Sequence, residues 1–260
     1  MIFSDSPRET YRHNPLKEVI CQLRFPPILK ITASAPAEFQ EKIRSTFPLY
    51  SAESPTESLP KEINELLGAI NLPGIMGQSV VHKFEDEGKI RSISLNQDFL
   101  ALSEKKYTRW SDFRGDLEQA EGAFRGEYSP AFYTRIGLRY VDVIDKEALG
   151  LGSSQWTDLF NNTFLGLLAA DEAKMVAAST QILVELPADV KGFMKVRHGF
   201  ASTTDKKRVY MIDSDFFTQE RSEPNNAFTT LDQFNRLASK FFRWAISPRL
   251  RDAMGPMPID

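Results

Sequence analysis

The chain has 260 residues, 42% hydrophobic and 26% charged, which is enough to bury a sizeable core and too apolar for a disordered segment. Its net charge of −3 gives no global attraction to phosphate polymers or anionic lipid, so nucleic-acid binding is disfavoured as a function. The single cysteine, Cys21, excludes an internal disulfide, no apolar run approaches the roughly 18 residues of a membrane span, and the N-terminus lacks a secretory profile; a cytoplasmic protein that does not enter a membrane is expected.

In chain order, residues 16–25 read as a strand stopped by Pro26-Pro27, because proline removes a ladder donor. Ser34-Ala35-Pro36-Ala37 opens a helix that runs to about Thr46. Residues 51–61, with Pro55 and Pro60, read as a surface loop. Residues 80–85 and 90–102 form a hairpin around Asp86-Glu87-Gly88-Lys89, where Gly88 suits a left-handed position. Trp110, Phe113, Leu117 and Phe124 then recur at helical spacing.

The pattern starts again with a strand over residues 132–144. Ser154 opens a second helix, with Trp156, Leu159, Phe160, Phe164 and Leu167 along one face. Residues 180–187 alternate as a strand with no clear counterpart in the first half. Residues 192–201 and 209–218 form a second hairpin around residues 203–206. Leu231, Phe234, Leu237, Phe241 and Trp244 mark the closing helix, and the tail after Pro248 reads as a loosely packed end.

Three short matches join the halves in the same order. Cys21-Gln22-Leu23-Arg24-Phe25 matches Ile136-Gly137-Leu138-Arg139-Tyr140 at an offset of 115, and residues 80–84 match residues 196–200 at 116. Residues 96–100 match residues 213–217 at 117, as Arg91 does Arg208. Offsets that drift by one residue at a time are what a duplicated chain with small loop insertions leaves behind. The expected fold is α+β: a β-α-β-β-α unit in residues 1–130 repeated in residues 131–260, with antiparallel sheets, helices on one face, and one compact domain arranged about a pseudo-twofold axis.

No Walker loop, dinucleotide-binding glycine pattern, H-E-x-x-H or paired C-x-x-C is present, so no metal or cofactor is expected. His13 reads as a loop residue. His82 and His198 are matched partners, each alternating with apolar neighbours; they are either a symmetric acid/base or metal pair, or half-buried core histidines. Arg24 and Arg139 fall on the strand face opposite the apolar one, either as a clamp for a carboxylate or phosphate or as ion-pair partners of Asp98 and Asp215. These six residues, Arg24, Arg139, His82, His198, Asp98 and Asp215, are the ligand-binding candidates. Lys191, Lys195 and Arg197 with Lys206, Lys207 and Arg208 lack aromatic interleaving and read as a solvated hairpin end.

Residues 14–19 running into Leu23-Arg24-Phe25-Pro26-Pro27, with Tyr107-Thr108-Arg109-Trp110, Tyr133-Thr134-Arg135-Ile136-Gly137-Leu138-Arg139-Tyr140 and Phe241-Phe242-Arg243-Trp244-Ala245-Ile246, resemble a sporadically distributed bacterial and archaeal family of about this length. The resemblance implies an accessory gene of the phage-defence or toxin–antitoxin kind, and brings no catalytic residues with it. Together with the absence of catalytic motifs it makes a non-catalytic module binding a protein partner, or a homo-oligomer, the first expectation. The alternative is an enzyme or sensor for a small anionic ligand, such as a nucleotide, at the seam between the repeats.

Overall fold

A computed structural model describes residues 3, 8–53, 80–169, 178–203 and 206–258. Alternating burial marks most of its strands. In chain order they are β1 (Glu9–Tyr11), β2 (Leu16–Arg24), β3 (Leu49–Glu53), β4 (Val81–Glu85), β5 (Arg91–Asn96), β6 (Phe99–Glu104), β7 (Arg135–Ile144), β8 (Ala178–Glu185), β9 (Phe193–Ser202) and β10 (Arg208–Thr218). An eleventh, β11 (Pro256–Pro258), pairs with β1. The helices used below are α1 (Ala37–Ile43), α2 (Trp110–Tyr128), α3 (Ala227–Ala245) and α4 (Pro248–Met254).

Nine strands form one antiparallel sheet in the order β3-β4-β5-β6-β2-β7-β10-β9-β8, with the helices on one side. Period-two alternation decides which residues face them: Val19, Cys21 and Leu23 of β2, and Ile136, Leu138, Tyr140, Asp142 and Ile144 of β7. The two long helices supply the matching layer. Phe113, Leu117 and Phe124 of α2, and Leu231, Phe234 and Phe241 of α3, are all buried. The Trp110 indole donates to Asp232 Oδ1 at 2.6 Å, tying one long helix to the other. Among the described residues, no helix is long and apolar enough to cross a membrane.

Several sequence expectations need correction. Residues 90–102 are two strands rather than one, because Gln97 and Asp98 form a tight turn between β5 and β6. The left-handed position of the β4–β5 turn belongs to Lys89, with φ 52°, while the Asp86 carboxylate accepts from the Ile90 and Arg91 amides and holds the turn. The helix expected from Ser154 is broken into single turns at Trp156–Asp158, Asn162–Leu165 and Gly166–Ala169. Asn161 caps a fresh start by accepting from the Thr163 amide, and Gly166 at φ 55° reverses the chain, leaving Leu167 exposed. The tail is well packed: Ser247 caps α4, Leu250 and Met254 are buried, and β11 holds β1. The loop expected over residues 51–61 lies mostly outside the described residues.

The extra turn at Gln97-Asp98 also shifts the halves against each other. Residues 80–84 and 196–200 match in sequence, yet β4 stands third out from β2 whereas β9 stands second out from β7. The first side therefore puts two more strands in the sheet than the β-α-β-β-α expectation, β3 and the second half of the split strand, and β8 on the second side adds one as well.

Candidate functional site

The face of the sheet opposite the helices carries the arginines. Arg24 pairs with Asp98 at 2.5 Å, as one of the sequence alternatives has it. Arg139 instead forms a two-pronged pair with Asp213, Nε to Oδ1 at 2.6 Å and Nη2 to Oδ2 at 2.8 Å. Asp215 is taken by Arg135, whose Nη2 lies 2.9 Å from both carboxylate oxygens. Diagonal reach across the ladder explains the switch, since Asp215 is the register partner of Arg139 but a long side chain leans along the strand to the next acid.

Gly137 completes the arrangement. A Cβ there would stand 2.1 Å from Arg135 Nη1, so only glycine lets that guanidinium lie flat across β7. The Arg135-Ile136-Gly137-Leu138-Arg139-Tyr140 stretch thus alternates core residues with one half of an ion-pair lattice. Arg135 and Arg139 are thus each paired with a carboxylate of β10.

The histidines lie elsewhere. His82 and His198 sit on the helix-covered face, on strands six spacings of about 4.8 Å apart in the sheet order, so they form no acid/base or metal pair. His82 Nδ1 is 3.1 Å from the Tyr50 hydroxyl. His198 Nδ1 is 2.7 Å from the Tyr210 hydroxyl, its ring is stacked 4.1 Å from Phe164, and burial pushes it down to a pKa of about 4. Both are core residues. The six candidates are therefore split between the two faces of the sheet; Arg139 and Asp215 line a small cavity on the open face with Gln22, Arg135, Lys195 and Asp213. Among the described residues no group of three His, Cys, Asp or Glu could hold a metal ion.

A different set of residues converges. Between β1, α3 and the end of β7 lies a cavity of about 110 Å³. Its floor is Asp142, only 6% exposed, whose side-chain carboxyl makes no hydrogen bond or ion pair with any described residue. Burial alone raises its carboxyl to about 7. No arginine or lysine offsets that rise. A carboxyl with that proton affinity can hold or release a proton near neutrality.

The walls are hydrogen-bonding and aromatic. The Asn235 amide donates to the Tyr140 hydroxyl at 2.8 Å and accepts from Arg8. Tyr107 packs edge-on against Tyr140, with ring centroids 6.1 Å apart, and Tyr11 does the same against Phe242 at 5.9 Å. Burial pushes the Tyr11 and Tyr107 hydroxyls up to about 12, so both stay neutral donors. Arg243 makes no ion pair among the described residues. Glu9 is held by Arg251, Nε to Oε2 at 2.9 Å, which fixes β1 over the opening together with its pairing to β11.

None of these wall residues was among the sequence candidates. One signal for the floor was there to be read. In the apolar alternation Ile136, Leu138, Tyr140, Asp142, Ile144, the carboxylate stands where period two demands a core residue. Arg8, Tyr107, Asn235 and Arg243 come from three distant segments, and nothing in their spacing joins them.

Fold and pocket together define an α+β protein with a half-covered antiparallel sheet and one polar, aromatic cavity under its terminal strands. No protein-family model matches the chain, and no curated protein matches its sequence.

Proposed function

We propose that this protein binds a small polar molecule in the cavity above Asp142. The observation that carries the reading is a nine-tenths-buried carboxyl with no partner, facing a space walled by neutral hydroxyls, an amide and three arginines. Buried polar groups are as a rule hydrogen-bonded, and a ligand would supply what the fold withholds. Support also comes from chain position: residues 14–16, 107–110 and 242–243, which line the cavity, fall in the stretches on which the family resemblance rests.

The cavity can be closed without touching its floor. Ser239→Trp fills it from α3. A thermal-shift screen of amines, carboxylates, phosphates and nucleotides is expected to yield a ligand that raises the melting temperature of the wild type and leaves Ser239→Trp unmoved. A shift of equal size in both proteins, or no shift from any class, overturns the reading.

An ancestral duplication accounts for the centre of the sheet. Ile20 pairs with Arg139, Gln22 with Gly137 and Arg24 with Arg135. This is the register that a twofold axis between Gln22 and Gly137 requires at an offset of 115, and each half closes on a helix of 19 residues.

A second reading, contact with another copy of this chain, is favoured by β8. It stands at the end of the sheet order, its only charge is Glu185, and Ile182 and Leu183 are 43% and 60% exposed. Long uncharged edge strands pair with other strands unless protected. Sedimentation is expected to give a dimer that Leu183→Lys converts to monomer; a wild type that sediments as a monomer at micromolar concentration eliminates this reading.

A further inference from the structure

Resting on the cavity reading above, we infer that the ligand is an organic ammonium, and that it is a zwitterion whose anionic group points toward Arg8 and Arg243. The floor decides the first half. Asp142 is enclosed, and no guanidinium or ammonium of the protein neutralises it. An anion placed there would meet a like charge. A neutral hydroxyl would leave the carboxylate charge uncompensated in a low-dielectric site. An ammonium donates up to three hydrogen bonds and cancels the charge.

The walls agree with the floor. Tyr107 with Tyr140 and Tyr11 with Phe242 form two aromatic pairs around the space, and the negative faces of such rings attract cations. The arginines decide the second half. Arg8 is held by Asn235, and Arg243 lies close enough to Glu9 and Tyr11 to affect their proton affinity. Both line the cavity with Asp142 and form no ion pair with it. Guanidinium groups there suit a carboxylate or phosphate.

Four matched probes separate the possibilities: γ-aminobutyrate, butylamine, butyrate and butanol, titrated calorimetrically into the wild type, Asp142→Asn and Ser239→Trp. γ-Aminobutyrate is expected to bind best and butylamine next, with butyrate and butanol weaker than butylamine by about tenfold or more. Amine affinity should rise between pH 5 and pH 8 as Asp142 gives up its proton. The other ionisable groups around the cavity are Arg8, Glu9 and Tyr11 of the N-terminal segment, Tyr107 and Arg109 before α2, Tyr140 of β7 and Arg243 of α3. The two tyrosines at about 12 do not titrate in that window.

Asp142→Asn should weaken the amines by about tenfold or more while leaving the protein folded. Butyrate or butanol binding as tightly as butylamine, or amine affinity indifferent to Asp142→Asn, overturns the ammonium assignment. The cavity reading survives that result if Ser239→Trp still abolishes binding, and falls if it does not. Silence from all four probes at millimolar concentration also counts against an ammonium ligand.

Discussion

Asp142→Asn is expected to stabilise the protein at pH 8 and to change it little near pH 4. The Asp142 carboxyl is raised from 3.8 to about 7 by burial, so the folded state holds its proton over a window in which the unfolded chain has released it. Stability from this group is therefore fully present below pH 3.8 and is lost as pH rises toward 7. At about 1.36 kcal/mol for each pH unit between those two values, the loss is bounded at roughly 4 kcal/mol. For a chain of this size that is on the order of 10 °C in melting temperature. Asparagine keeps the shape, carries no charge and escapes the loss.

His198 works in the opposite direction over nearly the same range. Its folded pKa is depressed from 6.5 to about 4, so its contribution is present above pH 6.5 and disappears as pH falls through 4. The two slopes oppose one another between pH 4 and pH 6.5, and the wild-type profile should be flatter than either alone. Removing Asp142 unmasks the histidine, so Asp142→Asn should lose stability on acidification more steeply than the wild type. Thermal melts from pH 4 to pH 8 measure both effects. An Asn variant that is less stable at pH 8, or a difference that ignores pH, would show that the Asp142 carboxylate is already compensated in the fold.

Arg139→Ala should be the most damaging substitution on the open sheet face. Asp213 has a side chain 7% exposed and takes both of its close bonds from Arg139, so the variant leaves a carboxylate stranded. Breaking such a pair from one side costs about 3 kcal/mol or somewhat more. Arg24→Ala should cost about 1 kcal/mol or less, because Arg24 and Asp98 are 19% and 24% exposed and water can replace the lost partner. Replacing Arg139 and Asp213 together by leucine should recover most of the loss, since an apolar pair removes both desolvation costs. Urea denaturation of the three variants gives the ordering. If Arg139→Ala unfolds normally but abolishes ligand binding, the arginine serves a ligand and not the sheet.

Those two outcomes differ in how far the sequence foretold them. The pairing of Arg24 with Asp98 was one of the two alternatives legible in the sequence, since Arg24 alternates away from the apolar face. For Arg139 the corresponding ion-pair alternative was Asp215, the matched residue of Asp98. The fold gives it Asp213, because Arg135, lying across Gly137, already holds Asp215. A diagonal choice between two acids on one strand depends on side-chain direction, which spacing does not encode.

What the amino-acid sequence determined by itself was local and periodic: the strands of alternating burial, the two long amphipathic helices, the turn at Asp86 and the α+β class. These follow from the near neighbours of each residue. Where the sheet strands stand was decided only in three dimensions, and with it the separation of His82 from His198 by six strand spacings. The cavity was decided there too. Arg8, Tyr107, Asp142, Asn235 and Arg243 lie far apart along the chain, and they meet because β1 is clamped by β11 and Arg251 across the end of the layer formed by β7 and α3. A site assembled by long-range closure leaves no periodic trace, except for the one carboxylate placed where the strand called for a hydrophobic side chain.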